Sequence, residues 1–532
     1  MAHPSTPANA AVNPWIIAAA VVVPTFMEVL DTTIANVALR YIAGGISAAE
    51  IDAEWVITSY LAANAFVLTI SGWLSARLGR RNYFLLSIAI FTIASGLCGI
   101  ATSLSQIIAC RILQGLAGGG LQPSSQAILI DTFPPEKQGT AMSVFGVAAL
   151  IGPIVGPTLG GWLVDAYSWR WIFYVNLPVG ALAFAASYFL VRDPEYLKEQ
   201  RAKLRSEPLN LDYIGIGLLA LAISSWEILL SKGQEWDWFG DPFGRIQTLT
   251  FILTAGAGIF VYRSLRRENP LINLRVLSER NFTMSAIIIF SAFSVLYAAS
   301  IALPAMLQTL FGYDALHAGL VLSPGGISSI TMLVIVSGLL GRGFDARWLI
   351  AAGLVVLAIS NYWMAYMNLE ISPWQVIAPR MVLTGGLGLI FAPINVAAYL
   401  YIPRELRGSA IALFSLLRNE GGSVGTSMSQ TIQERREQFH LARLNELLDP
   451  LNPYVSEYFA QAKALFFKQT GDPIGSHQMA LQSLDDLRQQ QASSLAYFDV
   501  FWLAAVLAIC LVPLVLLMKR SVAEKGAHVG AE

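Results

Sequence analysis

The chain has 532 residues, 55% of them hydrophobic and 13% charged, with 34 Lys and Arg against 35 Asp and Glu for a formal charge of −1. That balance excludes disorder and a water-soluble fold, and it offers no basic field for nucleic acid. No G-x-x-x-x-G-K-[ST] loop is present, so ATP hydrolysis is not expected, and neither an enzyme activity nor a cofactor or metal is read from the chain.

A helix that crosses a bilayer needs about 20 mostly apolar residues. Such runs predict an all-α membrane protein with fourteen spans, at 14–39, 54–75, 82–102, 105–128, 139–164, 170–191, 212–231, 246–263, 281–304, 316–339, 347–367, 374–400, 408–429 and 495–517. Positive residues resist translocation. With a cytoplasmic N-terminus the inner loops and tail collect 21 Lys and Arg and the short outer loops only 4, so both termini are expected inside. Residues 1–13 lack Lys and Arg, and Pro24, Glu28 and Asp31 interrupt the run that follows; span 1 is therefore expected to be kept rather than cleaved. Cys98, Cys110 and Cys510 all fall within spans and read as packing residues.

In span 1, Glu28 and Asp31 lie three apart on one helix face. An ionised acid at mid-membrane costs about 2.5–3.5 kcal/mol. A carboxyl group withdrawn from water is suited to take a proton from one side and yield it to the other, which makes both residues candidates for proton coupling. The structural alternatives are Asp31 packing a helix interface through Thr32 and Asn36, and Glu28 lying in a wet vestibule. Arg111 in span 4, followed by Gln114, is the lone cation in the interior of the first bundle and is expected to neutralise or tune a carboxylate, or to serve as a structural ion-pair or carbonyl-binding residue.

Span 5 carries Gly146, Gly152, Pro153, Gly156, Pro157, Gly160 and Gly161, which predict a helix with little bulk on one face, close neighbours and a kink. In span 7, Glu227 beside Trp226 reads as interfacial. Arg418 and Glu420 in span 13 lie two apart, on different sides of the helix, so separate partners are expected, with either one a candidate to line a cavity. Gly421-Gly422-x-x-Gly425 and Gly215-x-Gly217 sit in spans and read as packing rather than nucleotide loops. The 430–494 stretch, with 8 acidic and 6 basic residues, reads as amphipathic outer helices, with docking to a partner or a solvated cap as its two readings.

An internal repeat organises these spans. Residues 134–145 (PPEKQGTAMSVF) realign with 403–414 (PRELRGSAIALF) at an offset of 269, which also carries Arg111 onto Arg380. Ser71-Gly-Trp-Leu-Ser75 realigns with Ser337-Gly-Leu-Leu-Gly341 at an offset of 266. Arg380 is expected to keep a structural role. The resulting division is a short N-terminus (1–13), a six-helix bundle (14–191), a linker with two inserted helices (192–280), a second six-helix bundle (281–517) and a tail (518–532). Parallel repeats of this kind belong to secondary transporters, whose substrate site lies between the halves.

Five stretches, LDTTIANVAL (30–39), GWLSARLGRR (72–81), RILQGLAGGG (111–120), GVAALIGPIVGPTLGG (146–161) and WRWIFYVNLPVG (169–180), together with NPLINLRVLSERNF (269–282), resemble the major facilitator superfamily. Within it they resemble the fourteen-span drug:proton antiporters of the EmrB/QacA group. The resemblance implies the major facilitator fold and proton-coupled efflux of amphipathic or hydrophobic compounds by alternating access, from a bacterial inner membrane. It implies Asp31 and Arg111 in proton coupling; Glu28, not a fixed family position, joins them as a candidate on the residues alone, and Asn36, Gln114, Arg418 and Glu420 are the cavity candidates. Gly72, Arg77, Gly79, Arg80, Gly152, Pro153, Gly156, Pro157 and Gly160 are the implied conformational motif, although Ala76 stands where the family's inner turn carries Asp. The implied partners are drug-like molecules, protons and membrane lipid, with a periplasmic adaptor and an outer-membrane channel engaged through 430–494. A dedicated exporter of one metabolite, such as a siderophore or antibiotic, shares these motifs; a non-transporting receptor or scaffold is the reading of another class.

Overall fold

In a hydrocarbon solvent every backbone N–H and C=O must find its partner within the chain, and a long apolar run does this only as a helix. The computed structural model describes residues 13–194, 197, 212–267, 270–370, 372–403, 406–449 and 451–522, and among these every regular element is a helix. Most of the expected N-terminal segment, linker residues 198–211, Arg404 and the tail from 523 lie outside the described residues.

The first half comprises α1 (Pro14–Gly45), α2 (Trp55–Leu78), α3 (Arg80–Ile100), α4 (Leu104–Gly118), α5 (Leu121–Thr132), α6 (Pro135–Ala166) and α7 (Asn176–Leu190). Two further helices follow, α8 (Tyr213–Lys232) and α9 (Arg245–Arg266). The second half comprises α10 (Arg280–Leu310), α11 (Ala315–Leu322), α12 (Pro324–Gly341), α13 (Ala346–Ala365), α14 (Pro373–Tyr399), α15 (Arg407–Leu447), α16 (Pro453–Thr470) and α17 (Pro473–Leu516).

Eleven helices among the described residues are long and apolar enough to cross a membrane, and twelve if the two parts of α6, bent by 49°, count as one span. The expected fourteen are not reached on length and composition, for two local reasons. Span 4 is interrupted where α4 ends at Gly118 and α5 begins at Leu121, leaving pieces of 15 and 12 residues. Span 13 belongs to the 41-residue α15, whose apolar stretch carries Arg418 and Glu420 and runs on into a polar helix. The 430–494 stretch is accordingly the end of α15, all of α16 and the start of α17. Tyr458 and Ser483 share a hydrogen bond of 2.9 Å there, and Asp499 accepts from Arg436 at 2.5 Å.

The polarity of the molecule is inverted relative to a soluble protein. Leu182 and Phe251 are 73% and 71% exposed, whereas Arg111, Arg380 and Arg418 are buried. Apolar side chains therefore face the surroundings and the cations face the interior, as lipid requires. Within the first half α1 packs on α5, α6 and α7, and α4 packs on α2 and α3. Within the second, α10 packs on α14, α15 and α17, and α13 packs on α14 and α17. The halves meet through α2 against α15, α6 against α11, α12 and α14, and α5 against α15. The inserted α8 pairs with α9 and touches both α2 and α15.

Candidate functional site

The position of α1 is set by glycines on α6. A β-carbon at Gly152 would lie 2.5 Å from Val29 Cγ1, and one at Gly156 would lie 2.0 Å from Thr33 Oγ1. Thr33 Oγ1 also donates to the Gly152 carbonyl at 3.3 Å. The α1 stretch that carries Glu28 and Asp31 is thus seated in a groove that only glycine leaves open. On the other side, α4 lies against the α2 backbone: β-carbons at Gly115 and Gly119 would lie 2.5 and 2.4 Å from the carbonyls of Tyr60 and Asn64. These two close approaches bring α1 and α4 together around one ion pair.

Asp31 and Arg111 form that pair. Arg111 Nη1 donates to Asp31 Oδ2 at 2.5 Å, and both side chains are buried. Asp31 Oδ1 accepts from Gln114 Nε2 at 2.9 Å and from Asn176 Nδ2 at 2.7 Å. Arg111 also donates through Nε to the Val56 carbonyl at 3.1 Å and through Nη1 to Gln114 Oε1 at 2.9 Å, and it lies 4.1 Å from the Tyr60 ring centroid. The two carboxylate oxygens of Asp31 are thus both occupied, one by the cation and the other by two amide donors. Gln114, expected as a cavity residue, is a wedge inside this pair.

Glu28 has different company. It accepts from Asn64 Nδ2 at 3.0 Å and from Gln122 Nε2, and among the described residues it forms no ion pair. The other end of the Gln122 amide accepts from Arg418 Nη2 on α15. One amide therefore links a buried acid of the first half to a buried cation of the second. Around it, Arg418 lies 5.5, 5.8 and 6.0 Å from the ring centroids of Phe145, Phe293 and Phe391, on α6, α10 and α14. One turn along α5, Gln126 donates to Asn395 at 2.5 Å and accepts from Ser415 at 3.3 Å. Polar amides, a cation and aromatic faces thus share the seam between the halves, the chemistry from which adaptable sites for amphipathic ligands are built.

The remaining candidates fall elsewhere. Asn36 is exposed on α1. Glu420 faces Trp226 Nε1, which donates to it at 2.6 Å, and the Glu227 carboxyl lies within hydrogen-bonding reach. Glu227 is therefore not interfacial: it is buried, and Ser423 donates to it at 3.3 Å. Its immersion follows from α15, which covers α8 at this level. Arg418 and Glu420 take separate partners, as their spacing suggests.

Gly72 brings α2 against α15, since a β-carbon there would lie 2.7 Å from the Gly408 carbonyl oxygen. Gly79, with φ of +88°, makes the turn into α3, Arg80 pairs with Asp131, and Arg77 lies 5.9 Å from the Trp73 ring. Gly160 packs on Ile34, and Pro153 and Pro157 bracket the bend of α6. With Ala76 in the inner turn, the Arg80–Asp131 pair from α3 to α5 is the acid–base link present there.

Asn64, Gln122, Gln126, Asn176 and Asn395 were not singled out by sequence reasoning. Two signals were available: Asn176 lies inside the WRWIFYVNLPVG stretch, and Asn395 is the repeat counterpart of Gln126 at the offset of 269.

The chain matches the Major Facilitator Superfamily over residues 22–426. It is 32% identical to the multidrug export protein EmrB of Escherichia coli over 512 residues, covering 95% of this chain and 96% of that one. It is 33% identical to the fatty acid resistance protein FarB of Neisseria gonorrhoeae, covering 93% and 94% of the two chains. Among solved structures, that of the proton:xylose symporter XylE bound to 6-bromo-6-deoxy-D-glucose superposes with a TM-score of 0.57 at 14% identity, covering 93% of this chain and 94% of that one. That likeness is one of fold. With inverted polarity, an internal repeat and full-length relatives in agreement, the chain belongs to the Major Facilitator Superfamily and is kin to its EmrB-type multidrug export proteins.

Proposed function

We propose that the chain is a proton-coupled exporter of amphipathic or hydrophobic compounds that works by alternating access. The observation that carries this reading is the Gln122 amide held between Glu28 of α1 and Arg418 of α15. A hydrogen bond to an ionised carboxylate is roughly twice as strong as one to a neutral group. Protonation of Glu28 therefore weakens the hold on Gln122, loosens its grip on Arg418 and frees the seam between the halves. Asp31 acts beside it as the partner that holds Arg111 in the interior. Substrate enters among Phe145, Phe293, Phe391 and Arg418 when the seam opens, and leaves on the other side as the proton is exchanged.

The driving force is adequate. One charge crossing is worth about 2.3 kcal/mol per 100 mV, which corresponds to roughly a fiftyfold gradient at about 1.4 kcal/mol per decade. In this reading the six-helix bundles are 14–191 and 281–517, and the broken α4–α5 and the apolar part of α15 complete fourteen crossings. The chain lies in a bacterial inner membrane with both termini cytoplasmic. The helices of 430–494 stand on the outer side, where a periplasmic adaptor docks. Names of relatives such as multidrug export protein and fatty acid resistance protein support the class of cargo.

The test is a susceptibility panel of drugs and fatty acids in a pump-deficient host, comparing wild type with Glu28→Gln at equal expression. Resistance to several unrelated compounds in wild type and its loss in the variant are expected. Resistance to one compound alone points to a dedicated metabolite exporter, and equal resistance in the variant removes Glu28 from the mechanism.

A further inference from the structure

The repeat that relates the two halves also exposes a difference between them. Arg111 and Asp31 are 80 residues apart, and so are Arg380 and Ser300, whose side chains meet when Arg380 Nη2 donates to Ser300 Oγ at 3.1 Å. Ser300 thus stands in the second half where Asp31 stands in the first. A guanidinium is present in both halves, and a hydroxyl stands in the second where a carboxylate stands in the first. Arg380 is 2% exposed, and its Nε and Nη1 have no hydrogen-bond partner among the described residues. A buried cation in this state lacks the counter-charge that its first-half equivalent has.

A cleft lies one helical turn from it, although neither Arg380 nor Ser300 lines that cleft. The space, about 470 Å³, lies between the end of α10, α11 and the start of α14, and Tyr313, Leu320, Val321, Pro373 and Ile377 give it mostly apolar walls. Ile377 lies one turn before Arg380 on α14. Val321 lies one turn before Gly325, where a β-carbon would be 3.5 Å from Arg380 Cγ. Besides Tyr313, the titratable groups on the cleft wall are Asp314 and His317, which bond to each other at 2.7 Å on the exposed rim.

We propose that Arg380 and Ser300 form a binding site for one monovalent anion, a carboxylate group or a halide, reached through this cleft. The guanidinium supplies two free donors and the charge, and Ser300 fills the remaining corner. The apolar walls favour a carboxylate that carries a hydrocarbon tail. The claim concerns binding and its test involves no transport, so its failure and that of the exporter reading are distinguishable.

The experiment measures thermal melting of the full-length protein in detergent, titrated with sodium octanoate or sodium chloride against isethionate at equal ionic strength. A saturable rise in melting temperature with octanoate, chloride or both is expected in wild type. Response to octanoate alone assigns the site to cargo, and an equal response to chloride assigns it to a solution ion. Arg380→Gln should weaken the apparent affinity at least tenfold. Ser300→Asp supplies an internal carboxylate, so it should melt above wild type without added anion and stop responding; it decides the matter even where Arg380→Gln fails to fold. No response to either anion in wild type, or an undiminished response in Ser300→Asp, overturns the proposal.

Discussion

Gln126 of α5 and Asn395 of α14 occupy equivalent places in the two repeats, 269 residues apart, and hydrogen-bond to each other at 2.5 Å. The local two-fold relation between the halves therefore passes between two amides; Gln126 donates through Nε2, and its Oε1 accepts from Ser415 of α15. Replacing one partner leaves the other buried and unsatisfied, which costs about 1–3 kcal/mol. Gln126→Leu and Asn395→Leu should each lower the stability of the purified protein by about that amount, and the double variant should lose less than the sum. Additive losses in thermal melting would mean that the two amides do not depend on each other.

The Asp31–Arg111 pair makes a sharper demand. Breaking a buried pair on one side is expected to cost about 3–5 kcal/mol, because the surviving charge stays buried. Asp31→Asn should therefore melt well below wild type or fold poorly, and adding Arg111→Gln should recover part of the loss. An Asp31→Asn protein as stable as wild type would contradict the buried-pair role assigned to Asp31.

At Gly72 the constraint is space. A β-carbon there meets the Gly408 carbonyl at 2.7 Å, and in the corresponding stretch of the other half Ser337 Oγ donates to Thr140 Oγ1 at 2.6 Å, joining α12 to α6. Gly72→Ala should hold α2 and α15 apart, on the order of 1–3 kcal/mol of overpacking, and should reduce export by at least tenfold while the protein remains folded. Full export by a folded Gly72→Ala protein would show that this approach is not needed in the cycle.

The inserted helices are tied together at one end by Asp212, which caps α8 and pairs with Arg263 at 2.9 Å and Arg267 at 3.4 Å. Partial burial pushes the Asp212 carboxyl up, but the Gly215 amide and the two arginines outweigh it and hold the carboxyl below its ordinary value. A lowered acid contributes stability above its unfolded value and loses it as pH falls through the folded one. Asp212→Asn should thus be destabilised by on the order of 1 kcal/mol at neutral pH, with the gap to wild type closing on acidification. A gap independent of pH would contradict the pairing.

Much of this was legible in the sequence because helix formation in lipid is forced by composition. The apolar runs marked the helices, and Asp31, Glu28 and Arg111 stood out as charges that hydrocarbon does not tolerate alone. The offset of 269 marked the repeat and, followed further, would have paired Gln126 with Asn395. What was not legible depends on how helices rotate against one another. Gln122 reads as an ordinary polar residue until α1 and α15 meet on opposite ends of its amide. Glu227 reads as interfacial until α15 covers it, and the break in span 4 falls at Gly119 and Gly120, where Gly119 approaches the Asn64 carbonyl and the polar α5 begins. The fourteen-span count ran ahead of what the helices support for the same reason: α15 keeps its charges because the neighbouring helices shelter them.

The central claim is that Glu28 takes the proton that releases Gln122 and Arg418. Its most direct measurement is the flux of protons, followed with a trapped pH dye, when substrate is added to sealed vesicles containing purified protein. Wild type should move protons opposite to substrate, and Glu28→Gln should bind substrate with unchanged affinity yet move at least a hundredfold fewer protons. Proton movement by Glu28→Gln at the wild-type rate would contradict the account.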